Sequence, residues 1–77
     1  MEITVDIHGM TEYDAIKHLE DVIKRAESGV EAIRVIHGYN KGDTLREMVR
    51  DPNKIRSRRI VGRRYTMNQG ETIIEIE

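Results

Sequence analysis

E-I-T-V-D-I-H-G at residues 2–9, T-E-Y-D at 11–14 and the run from Ala15 to Gly29 decide the fold. Ile3, Val5 and Ile7 alternate with Thr4, Asp6 and His8, the two-residue period of a strand buried on one face only. Gly9 interrupts the pattern. Thr11 then offers a hydroxyl to cap a helix, with Asp14 three residues on as a short stand-in for the usual capping-box Glu. Ala15, Ile16, Leu19, Val22, Ile23 and Ala26 recur at three- and four-residue spacing, so a helix over 12–28 carries one apolar stripe. Gly29 is placed to stop that helix in the left-handed conformation.

The rest of the chain extends this strand–helix unit. Ala32–Ile36 is short, apolar and rich in branched residues, the composition of a buried strand. H-G-Y-N-K-G at 37–42 is a loop. A second helix starts at Asp43 or Thr44, buries Leu45, Met48 and Val49, and ends by Asp51, because Pro52 disfavours helical geometry before it. Arg59–Met67 reads as a strand with Gly62 as a bulge, Asn68-Gln69-Gly70 as a turn, and Thr72–Ile76 as its hairpin partner. The order β-α-β-α-β-β predicts an α/β two-layer sandwich, a four-stranded mixed sheet with two helices on one face. The first two strands are parallel through a right-handed crossover and the last two antiparallel.

Composition sets the limits. The 77 residues make a single domain, 1–77, with no room for a second core. Eleven Ile and six Val, with no Phe or Trp, require a core of branched aliphatics. Cysteine is absent, which removes disulfide staples and thiolate metal sites and fits a cytoplasmic protein. Apolar runs never exceed three residues, too short for a membrane span. The net charge of -1 names no partner, but its distribution is informative. Residues 46–64 hold Arg46, Arg50, Lys54, Arg56, Arg58, Arg59, Arg63 and Arg64 against only Glu47 and Asp51. Such a cluster is ordinarily a solvated face; its bias toward Arg, whose planar fork matches phosphate, favours nucleic acid as a partner.

Asp6 and His8 lie two apart on a strand, so their side chains share the face left open by the helices, at the carboxyl end where ligands gather in open sheets. Parallel pairing brings His37, at the end of the next strand, to the same edge. The loop that follows, with Gly38, Asn40, Lys41 and Gly42, leads into a helix amino terminus, a place suited to phosphate, and Arg46 adds a charge-assisted contact. Each feature alone has an ordinary reading: a surface pair, a chain turn. His8, His37 and Asp6 also form a two-histidine, one-carboxylate set, spaced too loosely to favour a metal. Convergence at one edge is what argues for function.

V-D-I-H-G-M-T at 5–11, V-I-H-G at 35–38, L-R at 45–46 and N-Q-G-E-T at 68–72 together resemble the Smr (small MutS-related) domain, in order and over nearly the whole chain from Ile3 to Ile76. The resemblance implies a sandwich similar to the carboxyl-terminal domain of translation initiation factor three. It also implies nucleic-acid binding and endonuclease activity, either nicking of DNA, as suits a domain fused to mismatch-repair-related proteins, or cleavage of RNA, including messenger RNA on stalled ribosomes. Asp6 and His8 match the family's Asp-x-His, His37-Gly38 its His-Gly-x-Gly, and Arg46 the arginine that opens the second helix. Asn68, Gly70 and Thr72 match a structural turn. Asn40 stands where the second glycine of His-Gly-x-Gly is usual, in a loop about one residue longer, a departure that bears on catalysis more than on fold.

The resulting expectation is a phosphodiesterase. Asp6 orients His8 as general base, His37 protonates the leaving oxygen, and the 38–42 loop with Arg46 holds the transition-state charge. On RNA the 2′-hydroxyl is the nucleophile and no cofactor is required; on DNA water must attack, and magnesium or manganese is called for. The alternative is a non-catalytic module that binds nucleic acid or the ribosome through the basic segment, with Arg50, Lys54, Arg56, Arg58, Arg59, Arg63 and Arg64 as its contacts. The sequence leaves DNA against RNA, and the oligomeric state, open.

Overall fold

Strands that are apolar on both faces belong at the centre of a sheet, and two segments qualify: A-I-R-V-I at 32–36 and E-T-I-I-E-I at 71–76. A computed structural model, describing residues 1–39 and 42–77, places them side by side. The elements in chain order are β1 (Glu2–Asp6), α1 (Glu12–Arg25), β2 (Ala32–Ile36), α2 (Thr44–Arg50), β3 (Ile60–Tyr65) and β4 (Glu71–Ile76). The sheet order is β1-β2-β4-β3, with β1 and β2 parallel and β4 antiparallel to both of its neighbours. The expected architecture is therefore observed. The last strand, however, pairs with β2 as well as with its hairpin partner, and so leaves β1 and β3 as the edges.

Val5, Ile33, Val35, Ile74 and Ile76 project from the sheet onto Ala15, Leu19 and Ile23 of α1 and Met48 and Val49 of α2, with Ile7, Val30 and Ile55 closing the core. Thr11 caps α1 as the sequence requires: its hydroxyl accepts the Asp14 amide at 3.1 Å. No described helix is long and apolar enough to cross a membrane. The opposite face of the sheet is polar. There Arg34 on β2 bridges Glu2 on β1, at 2.8 Å, and Glu71 on β4. Ile73 points to this face and is nevertheless fully buried; its register partners are Arg34 and Arg64, long stems able to cover apolar surface.

Four boundaries differ from the sequence reading, each for a local reason. The first strand ends at Asp6 instead of His8, because the Asp6 carboxylate turns back to accept the His8 amide at 3.0 Å. The long helix ends at Arg25, and Gly29 is not its left-handed stop. Arg59 ends it instead, donating from Nη1 to the carbonyls of Ile23 (2.6 Å) and Ala26 (2.7 Å). β3 is shorter than 59–67, and its register shifts between Ile60 and Gly62, the expected bulge. β4 begins one residue early, at the half-paired Glu71.

Arg59 thus acts as a helix cap. Replacing Arg59 by Ala leaves two helix carbonyls short of a charged donor and is expected to cost roughly 1.5–3 kcal/mol in urea denaturation. Arg58→Ala, at an exposed position, should stay within about 0.5 kcal/mol of the parent.

Candidate active site

β1 and β2 run parallel, so their carboxyl ends meet, and antiparallel β4 begins there. At this end a cleft of about 570 Å³ opens between the start of α1 and the loop into α2, lined by His8, Thr11, Ile36, His37, Gly38 and Tyr39 among others. Its volume lies in the range that small ligands occupy.

His8 stands on the rim. Its Nδ1 is 2.6 Å from Asp6 Oδ1, and since an ionised carboxylate only accepts, Nδ1 carries the hydrogen. Nε2 then holds the lone pair, and it has no protein partner among the described residues. The hydrogen bonds from the His8 ring and backbone hold the Asp6 carboxyl below its ordinary range. An exposed imidazole with a fixed tautomer and an open lone pair is equipped to take a proton.

His37 lies close by but in a different state. It is 4% exposed, and both ring nitrogens are engaged. Nδ1 donates to the Gly38 carbonyl at 2.8 Å, which leaves Nε2 to accept from the Thr72 hydroxyl at 2.9 Å. That hydroxyl in turn accepts from Arg50 Nε at 3.0 Å. Every donor and acceptor in this chain is matched only if His37 is neutral. Burial pushes its pKa down, as do the Arg50 and Arg46 charges, against the opposing pull of the Gly38 carbonyl and Glu71. The proton-donating role expected of His37 would require breaking this chain. The two-histidine, one-carboxylate metal set does not assemble either: among the described residues no three potential ligands gather.

The loop holds a second surprise. Gly38 adopts φ 76°, as a residue without Cβ permits, but its amide is not free for phosphate: the Gly70 carbonyl accepts from both His37 N (2.9 Å) and Gly38 N (3.0 Å). The N-Q-G turn therefore clamps the His-Gly pair, and a Cβ on Gly70 would meet Asn68 Oδ1 at 3.2 Å. Gly42 lines the cleft with φ 94°, while Asn40 and Lys41 lie outside the described residues. Arg46, which follows the cleft-lining Thr44 and Leu45 on α2, spends one donor on Asp43, at 3.2 Å.

The basic cluster is divided. Arg59 caps α1, and Arg63 caps α2 through the Val49 carbonyl (2.6 Å) and that of Asp51 (3.3 Å), so both guanidinium groups are engaged within the fold. Lys54 pairs with Glu12 at 3.2 Å and Arg64 with Glu75 at 3.8 Å. Arg50 serves Thr72 and lies 4.1 Å from the Tyr65 ring centre. Arg56 and Arg58 remain as exposed cations without an ion pair among the described residues. Sequence reasoning missed the bond of Thr72 to His37, reading Thr72 as a structural turn residue and the start of the last strand. A hydroxyl directly before the consecutive Ile73 and Ile74 of a buried strand was the available signal.

These features define a class: a small sandwich with an Asp-His pair and a clamped His-Gly turn at one sheet end. The model of the Smr domain matches residues 5–75, and the chain belongs to that family, which is known for nucleic-acid binding and nuclease activity. Among solved structures it is similar to the Smr domain of Thermus thermophilus MutS2, with a TM-score of 0.81, 22% identity and 96% of each chain covered. No curated protein sequence matches it significantly.

The buried neutral His37 predicts a pH dependence. Its folded pKa lies below the ordinary imidazole value while the unfolded chain titrates at that value, so between the two the unfolded state binds more protons. Stability is then complete above about pH 6.5 and declines as the pH falls below it. Urea melts between about pH 5 and 7 should show this slope, and His37→Asn should flatten it.

Proposed function

We propose that this Smr domain cleaves phosphodiester bonds, with the Asp6–His8 pair as its proton-transfer centre. The observation that carries the reading is the Asp6 contact to His8 Nδ1, which leaves Nε2 basic at the mouth of a cleft. On RNA, Nε2 takes the proton of a 2′-hydroxyl, that oxygen bonds to phosphorus, and the bond to the 5′-oxygen breaks. The departing 5′-oxygen takes its proton from water in the open cleft, since the His37 nitrogens are committed. The products are a 2′,3′-cyclic phosphate and a 5′-hydroxyl. Arg46 supplies positive charge where the phosphorane builds negative charge. His37 acts as a positioning residue: it fixes Gly38 and, through the shared turn, the rim opposite His8.

On DNA the internal nucleophile is missing. Water must attack, which calls for a divalent cation and yields a 5′-phosphate, so the product ends distinguish the two routes.

His8→Ala should lower the cleavage rate of labelled single-stranded RNA by about 10²- to 10⁴-fold while leaving its binding nearly intact. Asp6→Asn should lower it less, by disturbing the tautomer. Cleavage by both variants at the parent rate, or binding without turnover by the parent in the presence or absence of magnesium, would leave the module reading in its place.

A further inference from the structure

All the aromatic rings of this chain are tyrosines, and Tyr13, Tyr39 and Tyr65 are all exposed, at 69%, 54% and 59%. None contributes to the aliphatic core. An exposed aromatic side chain gives up the apolar burial that normally justifies it. The topology brings the three to one end of the molecule. Tyr39 follows Gly38 and lines the cleft, beside Gly70. Tyr65 closes β3 opposite Thr72, the residue that holds His37. Tyr13 is the second residue of α1, just past the cleft-lining Thr11 and Glu12.

Two of the rings already carry cations: Arg50 lies 4.1 Å from the centre of Tyr65, and Lys17 5.6 Å from that of Tyr13. Rings interleaved with positive charge are the pattern of surfaces that stack unpaired bases while neutralising the backbone between them. The cleft agrees, since Met10, Ile36, Leu45 and Tyr39 give it apolar walls while His8 stands at its rim.

We infer that Tyr39 stacks an unpaired nucleobase in the cleft, and that the Arg50–Tyr65 pair is the shelf for a neighbouring base. A duplex keeps its base faces buried against one another and offers nothing to these rings. The substrate is therefore single-stranded at the step that is cut. This deepens the phosphodiesterase reading and rests on it for the position of the scissile phosphate. The rings recognise what RNA and DNA share, the faces of their bases.

The test measures binding in a His8→Ala background, so that nothing is cut, by fluorescence anisotropy with short labelled RNA and DNA single strands and fully paired hairpins. The single strands should bind more tightly than the hairpins. Tyr39→Ala should weaken both single strands by about tenfold and leave the hairpins unchanged, whereas Tyr39→Phe should keep the parent affinity. Thermal melts of the variants, expected to superpose, exclude unfolding. The inference is overturned if Tyr39→Ala weakens all ligands equally or none. It is also overturned if Phe fails as Ala does, which would assign the contact to the hydroxyl, or if only RNA is affected, which would assign it to the ribose. Failure of the phosphodiesterase reading looks different: the proteins with His8 intact leave the same strands uncut while the Tyr39 effect persists.

Discussion

A buried imidazole with both nitrogens bound is the constraint on which this site depends. His37 is fully matched as the neutral tautomer, in which Nδ1 donates to the Gly38 carbonyl and Nε2 accepts the Thr72 hydroxyl hydrogen, which a charged ring would leave without its acceptor. The arrangement joins four parts of the structure through one polar chain: the end of β2 through His37, which follows it, the loop through Gly38, β4 through Thr72 and α2 through Arg50. No buried side-chain polar atom among the described residues is left without a partner, so the chain is fully satisfied. A network in that condition rigidifies its surroundings, whereas a half-satisfied one would cost more than an apolar replacement. The Asp6–His8 pair on the rim depends on this rigidity, since His8 is itself exposed and anchored through Asp6.

A domain of this size buries little surface and has no disulfide, so its helix ends cannot be left to fray. Two arginines solve that problem. Arg59 and Arg63 reach from the loop before β3 and from β3 itself to the carbonyl ends of α1 and α2, where positive charge also favours the helix dipole. The basic segment that reads in sequence as a binding surface is thus partly an internal brace. What remains for a polyanion is concentrated at the cleft end, in Arg46 and the Tyr65-stacked Arg50, and along the exposed loop with Arg56 and Arg58.

The element order and the parallel first pair were legible because each follows from periodicity within a few residues. Two-residue alternation makes β1, and the three-four spacing from Ala15 to Ala26 makes α1. The position of β4 was half legible: consecutive Ile73 and Ile74 already imply burial on both faces, hence a central strand. The contacts of His37 with Thr72, of Arg59 with α1 and of Arg63 with α2 were not legible, since those partners lie 12 or more residues away in sequence and are fixed only by packing. An imidazole at the right edge of a sheet reads the same whether it is open to substrate or tied to a threonine. The two states differ in burial, which local pattern does not encode.

The bulge at Gly62 has a consequence for solubility. β3 is an edge strand with exposed Val61 and a free row of main-chain groups, the sort of template onto which a second molecule adds in amyloid-like growth. The extra residue breaks the regular spacing of that row and increases its twist, and the charges of Arg63 and Arg64 follow at once. A small protein whose core is built mostly from isoleucine and valine thus carries a guard against strand addition at this margin of its sheet.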